Sequence, residues 1–452
     1  MSTKKSAISR RQFLGAAGVA AATFLVVPRH AVAASGRTPP SGKVNLAGIG
    51  VGGQGGGDIR GMADGNNIVA LADVDSKKAA KIFGDFSDAK KYKDFRKMFD
   101  EMERSIDAVV IGTPDHTHAV TAIAAMKRRK HVYCEKPLAH SVAEVRAMMK
   151  AAKQANVVTQ MGNQGHSSDS IRLFCEWIWD GAIGKVERID LGCGAVNSAL
   201  GNLERAKAGE PVPDTLDWDL WLGPAQQRPY SSTIHPYNWR GWVPFGNGTI
   251  GDWTCHVIDP VFWAFELGSP TSITAEVKDY DLKTQGDAFP AGDQIIYEFP
   301  AKGKRGPITL HWYSGTEKLP QAKELEPGRN GVDTGAYVYG SKGVIMYGSH
   351  GAGGVRIIPE AKMKEYRQPP QKIPRVRGGH GGDFIQAIRE GRKAGSDFFL
   401  YGGPLTEVAM LGVIALKMPG TKLIWDGANT KFTNNAEANQ YVNPPYREGW
   451  TL

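Results

Sequence analysis

Past residue 43 the chain alternates short apolar runs with amphipathic stretches. Runs at 44–49, 68–72, 106–112, 131–134 and 157–161 have the length and continuous apolarity of strands buried on both faces. Between them, residues 118–128 and 142–155 repeat apolar positions every three or four residues, which predicts helices. Strands and helices alternating at this spacing predict a doubly wound parallel sheet over residues 43–162. Beyond residue 162 the pattern changes. Asn163-Gln164-Gly165-His166 reads as a polar loop, 170–179 as a helix and 186–191 as a strand. Runs at 272–278, 294–299 and 308–312, extended by 336–339 and 343–347, predict a second sheet with one covered face. The fold class is therefore α/β, with a Rossmann-like unit at 43–162 and a second unit at 163–452.

The first 33 residues differ from the rest. They hold Lys4, Lys5, Arg10, Arg11 and Arg29 with no acid, then an apolar run over 15–27 and Ala31-Val32-Ala33. A basic start, a short apolar stretch and an A-x-A site predict a signal peptide. Arg10-Arg11 before Phe13-Leu14 predicts the twin-arginine type, with the twin-arginine export machinery as partner and a periplasmic or otherwise exported destination. Residues 34–42, with Pro39-Pro40-Ser41-Gly42, then form a linker. The leader also corrects the charge: 452 residues carry a formal +9, but removing the leader leaves +4 and no long basic stripe. Nucleic acid is not an expected partner. Four cysteines without a CxxC pair predict neither a disulfide framework nor a zinc site, and no metal is expected.

Candidate chemistry follows the strand ends. After the first strand comes Gly50-Val51-Gly52-Gly53-Gln54-Gly55, a G-x-G-x-x-G turn ahead of a helix, whose glycines allow backbone approach to a pyrophosphate. The register Gly48, Gly50, Gly53 also fits the spacing but would place the turn inside the strand. The second strand ends at Asp73, 23 positions after Gly50. An acid there accepts the adenosine ribose hydroxyls and repels a 2′-phosphate, so NAD is expected and NADP disfavoured. Asp75 is a candidate to share that task. Thr113, Pro114 and His118 follow the third apolar run, and Glu135-Lys136-Pro137 the fourth, which puts them on the same cofactor side. Asp252 and His256, four apart, share one helix face, with Asp259 placed either to orient the histidine or to cap the local network. Between 196 and 249, Trp218, Trp221, Trp239 and Trp242 alternate with His235, Asn238 and Arg240, a composition suited either to a saccharide site or to packed tryptophans. Gly378-Gly379-His380-Gly381-Gly382 lets the backbone near His380 approach a ligand, and Asp383 reads as an N-cap.

These motifs, together with the ending Ile424-Trp425-Asp426, Asn434 and Pro445-Tyr446-Arg447-Glu448-Gly449-Trp450, resemble the glucose–fructose oxidoreductase / inositol dehydrogenase / MocA family in its exported bacterial form. The resemblance implies a large open, mostly antiparallel sheet in the second unit, which would bind substrate and carry contacts of a dimer or tetramer. It implies NAD(P)-dependent action on sugars or cyclitols, with Lys136, Asp252 and His256 as catalytic residues. Cofactor contacts are expected from Gly50, Gly52, Gly53, Gly55, Asp73, Thr113, Pro114, His118, Glu135 and Lys136. Substrate contacts are expected from Asn163, Trp239, Arg240, Asp259 and His380. Either Lys136 or His256 fits the base that removes the hydroxyl proton. Because free NAD is scarce outside the cytosol, the nucleotide is expected to be tightly bound.

Three readings are compatible with the residues. One is an exported dehydrogenase of a sugar, glycoside or cyclitol. Another is a redox-neutral NAD-dependent glycoside hydrolase acting by oxidation, elimination and reduction. The third is a non-catalytic sugar- or nucleotide-binding protein, against which the intact Lys136, Asp252 and His256 speak.

Overall fold

The computed structural model describes residues 42–452, so the leader and most of the expected linker lie outside the described residues. The first unit is a six-stranded parallel sheet in the order β3-β2-β1-β4-β5-β6. Its strands are β1 (Asn45–Ile49), β2 (Asn67–Ala72), β3 (Lys90–Tyr92), β4 (Ala108–Ile111), β5 (His131–Glu135) and β6 (Thr159–Gly162). Connecting helices are α1 (Gln54–Ala63), α2 (Ser76–Asp85), α3 (Phe95–Met102), α4 (His118–Lys127) and α5 (Val142–Ala155). Strand β4 is buried along its whole length, as an apolar run covered on both faces must be. Winding reverses between β1 and β4, and the crevice of such a sheet opens at the carboxyl ends of those two strands.

The second unit starts with α6 (Asp169–Asp180) and β7 (Val186–Cys193). It continues through α7 (Gly248–Val257), α8 (Asp259–Ala264), β8 (Ser272–Val277), β9 (Gly292–Phe299), β10 (Ile308–Gly315), β11 (Gly335–Gly340), β12 (Gly343–Gly348) and β13 (Gly353–Ile358). Then come α9 (Gly379–Glu390), α10 (Gly403–Ala415), β14 (Leu423–Asp426) and β15 (Lys431–Phe432). These strands form a nine-stranded sheet, β13-β12-β11-β7-β10-β9-β8-β14-β15, in which β7 and β10 pair parallel and the other pairs run antiparallel. Burial alternates along β9 and β10, so one face is covered. The cover is α7 and α10: the Tyr347 hydroxyl donates to the Val257 carbonyl at 2.9 Å and that of Tyr297 to Val408 at 3.2 Å.

Residues 44–452 pack as one unit; the parallel sheet ends with β6 at Gly162 and the second sheet opens with β7 at Val186, but their covering helices are shared. Phe384, Ile385 and Ala387 of α9 pack with Ile59, Leu71 and Tyr133 of the first sheet's core. A helix from the second half therefore covers a face that the first half leaves open.

Candidate active site

The glycine turn is shaped by what a side chain would strike. Gly50 has φ +74°, and a Cβ on it would lie 2.6 Å from Thr113. On Gly55 it would meet the Gly50 carbonyl oxygen at 2.5 Å, which sets the close contact of α1 with the sheet. A Cβ on Gly53 would have no atom within 4 Å, so this backbone borders open cleft. Gly48 lies inside β1, which decides for the register Gly50, Gly52, Gly55. Gly52 donates its N–H to Asp73 Oδ2 at 2.7 Å and Asp75 donates to Oδ1 at 2.9 Å. Burial pushes the Asp73 carboxyl up to about 6, although those bonds oppose the shift. Asp75 is not free to share its role. It caps α2 through the N–H groups of Lys77 and Lys78, and its other oxygen accepts from His235 Nε2 at 2.8 Å.

A cleft of about 470 Å³ runs from this turn past Thr113 and Pro114 to Lys136, Asp252 and His256. At its floor Thr113 Oγ1 is buried with no hydrogen-bond partner among the described residues, a polar atom left for a ligand. His118 lines the cleft, but both ring nitrogens lie 2.8 Å from carbonyls, those of Pro137 and Thr113. Burial pushes its pKa down to about 4. Its work is to tie the ends of β4 and β5 together, rather than to offer a free polar group. Glu135 is buried too, and its Oε1 accepts from Gln164 Nε2 at 2.8 Å. Burial and the neighbouring Asp58 carboxylate raise its pKa well above the usual range.

Lys136, at the end of β5, meets Asp252 on α7. Its Nζ donates to Asp252 Oδ1 at 2.7 Å and to the Asp252 carbonyl at 2.9 Å. Burial works against the ammonium, but Asp252 and Glu135 more than offset it and hold Lys136 above its ordinary pKa. A second cation, Arg240, approaches the same oxygen, its Nε 3.5 Å from Asp252 Oδ1. Asp252 is driven down to about 2 by Lys136 and Arg240, against desolvation, and Asn197 donates to its Oδ2 at 2.9 Å.

One turn further on, His256 also lines the cleft, with its pKa held well below the ordinary value by burial and by Lys136. Its Nδ1 is buried and has no partner among the described residues. Asp252 and His256 share the helix face as expected, yet the carboxylate serves Lys136 rather than the imidazole. Asp259 does not orient His256 either. Pro260 lacks the N–H that would bond the His256 carbonyl, so α7 ends at Val257 and α8 starts afresh at Asp259. Asp259 is fully buried and binds His166 Nδ1 at 3.0 Å and Asn163 Nδ2 at 3.1 Å.

Three expected substrate contacts thus lie away from the cleft lining: Asn163, Asp259 and His380. His380 is buried between Ser167 Oγ and the Met161 carbonyl, each at 2.7 Å, and fixes α9 to β6. Asp383 lies inside α9, whose N-cap is Gly378, and binds Arg392 instead. Trp239 and Arg240 do line the cleft, with the guanidinium 4.2 Å above the indole. Trp218 and Trp242 belong to a buried aromatic cluster, and Trp218 stacks on Trp221 at 4.7 Å.

Asp115, Tyr237, Trp253 and His350 also line the cleft without a sequence signal that singled them out, and Trp450, part of the chain's ending, lines it too. His350 sits in a second glycine-rich turn, Gly348-Ser349-His350-Gly351-Ala352-Gly353-Gly354, and reaches the cleft where His380 does not. Its ring stacks on His256 with centroids 4.0 Å apart.

Residues 43–163 match the oxidoreductase family with NAD-binding Rossmann fold, and residues 201–304 match that family's C-terminal alpha/beta domain. Levoglucosan dehydrogenase of Pseudarthrobacter phenanthrenivorans is 34% identical over 362 residues, covering 73% of this chain and 82% of that protein. Myo-inositol 2-dehydrogenase of Thermotoga maritima is 28% identical over 157 residues, 35% of this chain and 42% of its own. A solved levoglucosan dehydrogenase with NADH superposes with a TM-score of 0.54 at 20% identity, over 84% of this chain and 98% of the other. The WlbA dehydrogenase of Bordetella pertussis, solved with NADH and UDP-GlcNAcA, gives 0.56 at 16% identity, over 85% and 99%. The two superpositions establish a shared fold.

Proposed function

The chain belongs to the glucose–fructose oxidoreductase / inositol dehydrogenase / MocA family of NAD-binding oxidoreductases, and from that premise we propose that it oxidises a secondary hydroxyl, or reduces the matching ketone, of a sugar, glycoside or cyclitol. The observation that carries this is the Lys136–Asp252 pair at the far end of a cleft continuous with the glycine turn. Bound NAD supplies the hydride acceptor or donor. Gly50 to Gln54 and the open backbone at Gly53 fit its pyrophosphate, Asp73 its adenosine ribose, and the unpartnered Thr113 Oγ1 a polar group between them.

The charge states divide the labour. Lys136 is held as an ammonium with Asp252 as counter-ion, so it donates to the reacting oxygen and stabilises negative charge there. His256 is neutral, and with Nδ1 buried its Nε2 is the nitrogen left to take the hydroxyl proton. We assign the base to His256 and the electrophile to Lys136. Trp239, Trp253 and Arg240 give the apolar faces and donors that a polyol needs. Levoglucosan and myo-inositol, named for two relatives, are the first substrates to try.

We also propose that residues 1–33 direct export by the twin-arginine route, on the strength of Arg10-Arg11 and Ala31-Val32-Ala33. The test of the activity is direct. The purified mature chain, supplied with NAD, is incubated with anhydrosugars, cyclitols and glycosides while absorbance at the reduced nicotinamide band is followed. Turnover of at least one carbinol, lost in Lys136→Ala, is expected. Unchanged turnover in Lys136→Ala would overturn the assignment.

A further inference from the structure

The stretch after Pro445 has no part in the chemistry above, yet it is pinned across both halves of the molecule. The Tyr446 hydroxyl donates to Glu144 on α5. Arg447 donates its N–H to the Pro224 carbonyl at 2.9 Å and its guanidinium to the Gly223 carbonyl at 3.0 Å and Asp219 Oδ1 at 2.6 Å. Trp450 donates its N–H to the Arg447 carbonyl at 3.2 Å, and Lys127 on α4 donates to the Leu452 carbonyl at 2.9 Å. Glu144 and Lys127 belong to the first unit, Asp219 and Gly223 to the second. Irregular backbone held at so many points is built to stay in place.

What the stretch carries is Trp450, whose ring lines the cleft with Val74, Lys93, Phe95 and Leu220. The Arg96 guanidinium lies 4.8 Å from the indole centroid, and Asp94 grips that guanidinium with contacts from 2.7 to 3.1 Å. The indole is therefore fixed in orientation before any ligand arrives. Val74 follows Asp73 directly at the end of β2, and Phe95 opens the helix after the neighbouring strand. This is the Asp73 side of the cleft, where the adenosine half of a dinucleotide is expected. A planar purine finds there one indole, one phenyl ring and an aliphatic wall.

We propose that residues 446–452 form a strap over the adenosine end of the cleft, with Trp450 stacking against the purine, so that the dinucleotide is retained through many turnovers. The inference rests on NAD occupying the cleft and adds the means by which it is kept. An indole clamped by Arg96 loses little freedom on stacking, which favours slow release.

The test compares the mature wild-type chain with Trp450→Ala, Trp450→Phe and a chain ended at residue 445. Calorimetry measures NADH, ADP-ribose and nicotinamide mononucleotide, and dilution into excess NAD gives the NADH release rate. Trp450→Ala should weaken NADH and ADP-ribose about 5- to 150-fold, the worth of one base–aromatic stack, mainly through faster release. Nicotinamide mononucleotide should bind as in wild type, Trp450→Phe should keep most of the affinity, and the shortened chain should lose at least as much as Trp450→Ala. NADH affinity within twofold of wild type in Trp450→Ala, or equal weakening of nicotinamide mononucleotide, would overturn the strap. Failure of the wild-type chain to bind NADH would instead overturn the dinucleotide reading beneath it.

Discussion

His350 lies flat on His256, ring planes 23° apart, from a backbone that few residues adopt. His350 has φ +55°, Gly351 +85° and Ala352 +60°, three left-handed residues in succession. Ser168 and Ser170 donate to the Gly351 carbonyl at 2.9 and 2.7 Å and hold the turn. A conformation this costly persists only where its surroundings enforce it, and such turns gather at working sites. The stack has a clear use. With Nδ1 of His256 unpartnered, no hydrogen bond on that side sets the ring, and packing against His350 and Trp253 sets it instead. His350 is thus a positioning residue. His350→Ala should lower kcat by roughly 2- to 10-fold, the worth of one aromatic pair, while nucleotide affinity holds. His350→Phe should restore most of the loss, and a histidine needed for its own proton would not be replaced in this way.

The pH profile should lack an ordinary histidine limb. His256 acts when neutral, and burial depresses its pKa, so kcat/KM stays level as pH falls through about 6.5 and drops only at more acid values. Lys136 acts when charged, and its raised pKa keeps it so at every pH below about 10.4. Between these limits buried carboxyls beside the pair can titrate, Glu135 and Asp115 among them. Asp115 is pushed up to about 7 by burial and by Asp252, against Arg240 and Lys136. Its charge appears as pH rises through 7, giving a shallow step that Asp115→Asn should flatten. A limb near 6.5 that survives both Asp115→Asn and Glu135→Gln would return an ordinary titrating histidine to the mechanism.

What the sequence shows and what it hides divide along range of contact. The glycine turn, Asp73 at the end of β2 and the Asp252/His256 spacing are local patterns, and each places its residues in the cleft. Helix α10 is apolar on every side because it is buried on every side, so it has no period to read. Strand β3, Lys90-Lys91-Tyr92, is a charged edge strand with no apolar pattern. The Lys136–Asp252 pair spans 116 positions, and no spacing rule foretells it. Asp259 misled because a one-helix spacing was carried across a break that Pro260 imposes. Of two histidines in glycine-rich turns, nothing local marks His350 rather than His380 as the one that lines the cleft.

Cofactor preference should follow Asp73. Its oxygens already bind the N–H groups of Gly52 and Asp75, so a 2′-phosphate there would meet an acid fixed in place. Lys78 nonetheless stands beside this carboxylate and offers a cation once the acid is gone. Asp73→Ser with Val74→Arg should therefore gain NADPH binding and lose NADH preference by at least about tenfold, or 1.4 kcal/mol, in parallel titrations. A wild-type chain that already prefers NADPH would contradict the ribose role.

Export should depend on guanidinium groups rather than charge alone. Replacing Arg10 and Arg11 by Lys keeps the charge and should trap precursor in the cytosol, as fractionation and immunoblotting would show. Mass spectrometry of the exported wild type should find a chain starting near Ala34. Undiminished export of the double variant would refute the twin-arginine assignment.

Lys136→Ala and His256→Ala bear on the chemistry itself. Loss of one acid/base group costs about 10²–10⁴-fold in rate, or roughly 3–5 kcal/mol of transition-state stabilisation. Each variant should lose turnover by that order while NADH titrations stay near wild type, because both side chains lie beyond the glycine turn. The double variant should lose far less than the product of the two, since the ammonium and the imidazole serve one reacting oxygen and neither works fully alone. Asp252→Asn separates their roles: it leaves His256 in place but removes the counter-ion that keeps Lys136 charged, so its alkaline limb should move to lower pH. A glycoside deuterated at C3 then decides what the hydride step is used for. A dehydrogenase gives an isotope effect and a ketone. A redox-neutral hydrolase gives an isotope effect, free sugar and, in heavy water, solvent deuterium at C2. Products without any isotope effect, in a chain that still binds NADH, would mean that bond cleavage at carbon is not the slow step, and release from beneath Trp450 would be the next rate to measure.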